Sequence, residues 1–172
     1  TTTRLLAHMA KLKGFTVGYT TTDGIYIQNH LMMQGDCSGP GSAEFVLKDP
    51  TVNFAVFETA RGGILRAGLG YKNSNIAIVT NVAPDHLGLK GIHTLEQLAK
   101  VKGVVVESVL PDGHAILNAD DDLVYAMRSN LECKLAYFSM DENNPRIQSH
   151  MKAGGLSAIY ENGFITICRG EW

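Results

Sequence analysis

The chain has 172 residues, a length that suits a domain with a full-sized core, and its 45% hydrophobic and 19% charged content excludes a disordered chain. A net charge of −2, with acids and bases interspersed, argues against a nucleic-acid partner. No apolar run approaches the ~18 residues that a bilayer requires. The opening residues read as helix rather than as a signal peptide, and three cysteines without CxxC spacing (Cys37, Cys133, Cys168) suit reduced thiols. A cytoplasmic location is therefore expected.

In chain order, apolar Leu5, Leu6, Met9 and Leu12 predict a helix over 1–13, with Gly14 as its natural stop. A short strand (15–20) leads into "TTDGIYIQNHLMMQGDCSGP", a turn-rich stretch expected to hold a small hairpin. A short helix over 42–48 precedes "VNFAVFE" (52–58), which reads as a strand buried on both faces. "GGILRAGL" starts a helix, and 74–82 is a second strand of the buried kind. A long helix follows over 94–110, with Thr94 as N-cap and Gln97 at the capping-box position. Beyond it come a strand (114–120), a helix (122–130), a strand (134–140) and a helix near 145–153. A terminal hairpin over about 156–169 turns at Asn162-Gly163.

Strands alternating with helices predict an α/β fold, a mostly parallel sheet with helices on both faces. In such sheets ligands bind at the C-terminal edge of the strands. Three strand ends carry unusual chemistry: Glu58-Thr59, Thr80-Asn81 leading to Asp85-His86, and Asn118-Ala119-Asp120. No strand runs into G-x-G-x-x-G, which argues against a dinucleotide-binding dehydrogenase. Thr1 falls in the first turn of a helix and the chain closes inside a hairpin, so a piece of a longer polypeptide is expected.

Each candidate residue has a plain reading beside the functional one. Glu58 is either a hard oxygen ligand for magnesium or a cap of the helix that follows. His86, in a loop four residues before Lys90, is a structural or solvated histidine unless it pairs with Glu58 as a ligand, and Asp85 orients that loop. Lys102 reads as a solvated lysine; a carbamylated amine able to hold magnesium is the alternative, which spacing cannot reveal. Arg61 and Arg66 flank "GGIL", where their planar forks suit carboxylate or phosphate, or simply the surface. Thr22 and Asp23 form a polar turn able to contact substrate, although a plain β-turn explains most of it. Cys37 has no base partner and is no nucleophile.

"TTTRLLAHMAKLKGFTVGYTTTDGIYI", "GDCSGPGSAEFVL", "FETARGGILRAGL", "TNVAPDHLGL", "TLEQLAKVK" and "LNADDDLV" together resemble the Mur-ligase-like middle domain of the cyanophycin synthetase family, in order from residue 1 to about 125. "TNV…DH" and "NADD" are shared more widely with peptidoglycan Mur ligases and folylpolyglutamate synthetase. The resemblance implies a P-loop NTPase-like central domain, here without its first strand and phosphate loop. It implies an ATP-dependent ligase in which a carboxylate becomes an acyl phosphate and an amine, arginine in this family, displaces phosphate. By position, Glu58 and His86 would ligate magnesium and Lys102 would match the family lysine that is often carbamylated. Thr1, Thr2 and Asn81 would meet nucleotide, and Thr22, Asp23, Arg61 and Arg66 would meet substrate. ATP and Mg²⁺ are the implied cofactors, with an acidic polymer end and arginine as substrates. The implied partners are an N-terminal ATP-grasp domain and a C-terminal Mur domain of the same polypeptide, and a homo-oligomer is compatible with the sequence. A peptidoglycan-type ligase and a non-catalytic nucleotide-binding domain are the alternatives. These 172 residues alone are expected to be inactive.

Overall fold

The computed structural model describes residues 1–84, 87–88 and 91–170. The chain forms two compact units, Thr1–Lys72 and Asn73–Trp172. Among the described residues no helix is long and apolar enough to cross a membrane.

In the first unit, α1 (Thr2–Leu12) is followed by β1 (Val17–Thr21), β2 (Gly24–Ile27), β3 (His30–Gln34), α2 (Pro40–Leu47), β4 (Phe54–Phe57) and α3 (Arg61–Ala67). The sheet order is β3-β2-β1-β4, with β1 parallel to β4 and antiparallel to β2. Strand alternation sends neighbouring side chains of β1 to opposite faces. Val17 and Tyr19 join Ala7 and Ala10 of α1 in one small core. On the other face Gly18 lies under α2, where a Cβ would stand 2.4 Å from Val46 Cγ1. There Val46 packs with Ile25, Ile27 and Cys37 in a second small core. Helices therefore cover both faces of this sheet.

The second unit runs β5 (Ser74–Val79), α4 (Leu95–Glu107), β6 (Val109–Asn118), α5 (Asp122–Ala126) with a 3₁₀ turn (Met127–Asn130), β7 (Lys134–Ser139), α6 (Pro145–Lys152), β8 (Leu156–Glu161) and β9 (Phe164–Arg169). Its sheet is ordered β5-β6-β7-β8-β9; the first four strands are parallel and β9 returns antiparallel. The hairpin turns through Asn162 (φ 49°) and Gly163 (φ 85°), the left-handed pair that a two-residue turn demands. One contiguous core joins Leu98 and Val106 of α4, Ala115 and Leu117 of β6, and Ile147 of α6. The expected capping box is present: Gln97 N–H donates to Thr94 Oγ1, and the Gln97 side chain accepts from the Thr94 N–H.

Two expectations need correction. The strands at 52–58 and 74–82 were expected to be buried throughout, yet Phe54 is 37% and Ile76 57% exposed. Both belong to edge strands among the described residues. Helix α1 reaches Val56 of β4, whereas Phe54 has the ring of Phe15 beside it, 5.1 Å between centroids. In β5, Ala77 and Val79 face the core and Ile76 points to the open side. The long helix also stops three residues early, at Glu107, because Val109 pairs with Ser74 and begins β6.

Candidate functional site

In the first unit the chemistry gathers where β1 and β4 end. The Glu58 N–H donates to Thr20 O (3.1 Å), which extends the parallel pairing to the last residue of the strand. The Glu58 side chain is half-buried, and its carboxylate has no hydrogen bond or ion pair among the described residues. The helix-cap reading fails: α3 is N-capped by Ala60, with no side-chain cap bond. Arg61, the first residue of α3, carries a buried Nη1 without a partner among the described residues. A free carboxylate and an orphaned guanidinium nitrogen thus lie three residues apart at one strand end.

Helices α2 and α3 start side by side. Ala60 N–H donates to Ser38 O (3.1 Å), and a Cβ on Gly63 would sit 3.0 Å from Gly39 Cα and 3.1 Å from Pro40 Cδ. The glycine of "ARGG" therefore admits the backbone of α2, a packing role distinct from the ligand approach that glycine also permits. Behind these helix starts lies a cavity of about 500 Å³ lined by Asp36, Ser42 and Arg66 among others. The sequence reading missed Asp36; its signal was the Asx-type "GDCS" turn just before Gly39-Pro40.

The polar turn of Thr22 and Asp23 is engaged within the unit. Asp23 accepts from the hydroxyls of Thr21 and Tyr26 and pairs with Arg4, whose guanidinium lies 5.0 Å from the Tyr26 ring centroid. The Thr21 and Tyr26 hydroxyls, with Arg4 beside them, hold the Asp23 carboxyl below the usual range. Thr22 is exposed in the same turn. Thr1 is the N-cap of α1 without a side-chain cap bond, and Thr2 is its first residue.

In the second unit, the ends of β5 and β6 converge as expected. Asn118 Nδ2 donates to Thr80 O (2.8 Å), Lys102 Nζ donates to Asn81 O (3.0 Å), and Val82 N–H donates to Asp121 Oδ2 (2.7 Å). Lys102 thus reaches the strand end rather than bulk solvent, and the Asn81 side-chain amide makes no hydrogen bond among the described residues. The acids of "NADDD" are occupied. Asp120 accepts from Ser139 Oγ (2.5 Å), Met140 N–H (2.7 Å) and Asn144 Nδ2 (2.8 Å). Burial pushes its carboxyl upward, but these donors and the Arg146 charge outweigh burial and hold it below the ordinary value. Asp121 caps α5 through Leu123 and Val124 N–H, and Asp122 pairs with Arg146. The Tyr125 ring lies within 3.8 Å of the Arg128 guanidinium and 4.3 Å of that of Arg146. His86, Asp85 and Lys90 lie outside the described residues.

Residues 1–166 match the Mur ligase middle domain family. The chain belongs to that family. As a Mur ligase middle domain it is 55% identical, over all 172 residues, to the cyanophycin synthetases of Geminocystis herdmanii and of Synechocystis sp.. It spans about a fifth of their length (20% of each). A UDP-N-acetylmuramoylalanine–D-glutamate ligase of Desulfitobacterium hafniense is 34% identical over 99 residues, covering 56% of this chain and 21% of that protein. Among solved structures, a UDP-N-acetylmuramoyl-L-alanyl-D-glutamate–2,6-diaminopimelate ligase superposes with a TM-score of 0.66 at 20% identity, covering 96% of this chain and 33% of that one. That likeness establishes a Mur ligase fold.

No three His, Cys, Asp or Glu side chains cluster as a metal cage among the described residues. A magnesium site does not require one. Mg²⁺ is commonly held by one or two carboxylates with substrate phosphates and water completing its shell, and the unpartnered Glu58 carboxylate fits that role.

Proposed function

We propose that this Mur ligase middle domain serves an ATP-dependent amide-forming ligase that adds arginine to the side-chain carboxylate of an aspartate at a polymer end. The observation that supports this most is the 55% identity, across all 172 residues of this chain, to a fifth of the length of two cyanophycin synthetases. The chemistry runs in two balanced steps. A carboxylate oxygen of the acceptor attacks the γ-phosphorus of ATP, and ADP leaves. The arginine amine then attacks the acyl carbon of the resulting acyl phosphate, loses a proton, and inorganic phosphate departs.

Carboxylate and triphosphate repel each other, so cationic groups must gather where they meet. Glu58 is assigned to bind the nucleotide's magnesium, which would neutralise charge on the phosphates. Arg61 is assigned to an anionic oxygen, since an unpaired buried guanidinium nitrogen is costly. On the second unit, His86 is assigned as a magnesium ligand, Lys102 as the residue whose carbamylated form would be another, and Asn81 as a nucleotide contact. Thr1 and Thr2, opening α1, are assigned to the phosphate end of the nucleotide; Thr22 and Asp23 to the substrate turn.

The test uses a polypeptide of the relatives' full length carrying this chain, with ATP, arginine and an aspartate-ended peptide. Phosphate release that depends on arginine is expected. Glu58→Gln should lower kcat by about 10² or more, the scale of losing a transition-state charge partner, without changing the melting temperature. Release driven by a muramyl peptide instead of arginine would transfer the assignment to a peptidoglycan-type ligase. Full turnover in Glu58→Gln would remove its magnesium role.

A further inference from the structure

We propose that Arg4 is a positioning residue, clasping the two-residue turn of Thr22 and Asp23 to the start of α1. What meets that turn rests on the ligase reading above; the clasp itself rests on the first unit alone.

Arg4 stands where a helix alone would not place a cation. It is the third residue of α1, whose first turn carries no acid, and the positive end of the helix dipole disfavours it. Asp23 compensates by pairing with the guanidinium. The Tyr26 hydroxyl accepts from the same Nη2 (3.2 Å) and donates to Asp23 Oδ2 (2.9 Å). Three side chains, from α1, the turn and β2, thus close a triangle. Buried Thr21 adds its hydroxyl, which donates to the other carboxylate oxygen (2.5 Å). The triangle is anchored in the core. The Tyr26 ring stacks on that of Tyr19 (4.8 Å between centroids, 6° between planes), and Tyr19 packs with Ala7 and Ala10 of α1.

The turn needs this support. Two-residue hairpin loops favour left-handed backbone, as at Asn162-Gly163, because it matches the twist of the strands. Thr22 and Asp23 join β1 to β2 between the paired Thr21 and Gly24, and neither has a positive φ. Side-chain bonds to Asp23 hold here what backbone preference holds in the other hairpin. Folding stability is not the main gain, since the Arg4 and Asp23 side chains are 46% and 55% exposed and exposed pairs add little. The gain is orientation. Asp23 is spent on the clasp, which leaves Thr22, exposed and without a side-chain hydrogen bond among the described residues, to meet a substrate. Thr1 and Thr2, assigned to the nucleotide, lie within one helical turn of Arg4. A single guanidinium therefore ties the nucleotide's helix to the substrate turn.

The experiment uses the full-length polypeptide and two readouts: phosphate release with ATP, arginine and an aspartate-ended peptide, and hydrogen–deuterium exchange across residues 21–26. Arg4→Gln should lower kcat/KM for the peptide roughly tenfold, as a displaced contact does, with the KM for ATP and the melting temperature unchanged. Exchange across the turn should quicken while that of β4 does not. Arg4→Lys, which keeps the charge without the planar fork, should recover part of the loss. Tyr26→Phe, which keeps the ring stack, should loosen the turn less, and adding it to Arg4→Gln should cost nothing further. Unchanged exchange in Arg4→Gln overturns the proposal whatever the activity. So do a loss confined to the KM for ATP, additive losses in the double variant, or a fall in melting temperature in both single variants. A loosened turn with unchanged arginine-dependent release would overturn the positioning role and leave the ligase reading. A loosened turn in Arg4→Gln, with no arginine-dependent release by the unaltered protein, would overturn the ligase reading and leave the clasp.

Discussion

The two units handle charge at their strand ends in opposite ways. In the second unit the "NADDD" acids are consumed by structure: Asp120 joins β6 to Ser139, Met140 and Asn144, Asp121 caps α5 and holds Val82, and Asp122 pairs with Arg146. In the first unit Glu58, Arg61 and Arg66 are left without partners among the described residues. Their packing differs too, one contiguous core against two small ones on opposite faces of a sheet. A carboxylate with its acceptors filled helps hold a fold together, whereas a buried polar atom left unpaired, such as Arg61 Nη1, lowers stability and is free to meet a ligand. The contrast marks the first unit's strand end as the place to seek binding.

The largest test of this contrast is Leu117→Ala. Leu117 is fully buried in the contiguous core, so a loss of about 3–4 kcal/mol is expected by thermal or denaturant unfolding. A loss below about 1 kcal/mol would mean that the second unit's core is looser than its burial implies. Next is Gly70→Ala in the first unit. Gly70 has φ +78°, and a Cβ would lie 2.2 Å from Pro40 O. A cost of about 2–3 kcal/mol is expected, combining left-handed strain with displacement of the α2 start. A neutral outcome would show that the α2 start yields easily.

The smallest effect is at Asp120. Its folded carboxyl titrates below the ordinary value near 3.8, so its stabilisation is complete above the unfolded value and fades as pH falls through the lower folded value. Asp120→Asn should lower the melting temperature at neutral pH by the equivalent of about 1–2 kcal/mol. The gap from the unaltered protein should narrow below about pH 4. A gap that is constant with pH would show that the hydrogen-bond count, not the charge, matters.

Much of this was legible in the residues. The capping box at Thr94 and Gln97 and the Asn162-Gly163 turn follow from local chemistry, which a short window contains; the convergence of Asn118 with Thr80, 38 residues apart, follows from the alternation of strands and helices that aligns parallel strand ends. The edge position of β4 and β5 was not legible, because an apolar run of Val, Phe and Ile reads the same whether one neighbour or two cover it. Nor was the engagement of Asp23: Arg4 lies nineteen residues away, and no spacing announces that pair. Asp36 was passed over because a turn aspartate is ordinary until Arg66 is found lining the same hollow.

The order of helices and strands, the turns and caps, and the membership of a ligase family were determined by the sequence itself, since each depends on near neighbours or on motifs kept whole in the chain. Only the tertiary structure decided which charges are spent and which are free. A carboxylate's role is fixed by the donors that surround it, and those arrive from residues far away along the chain.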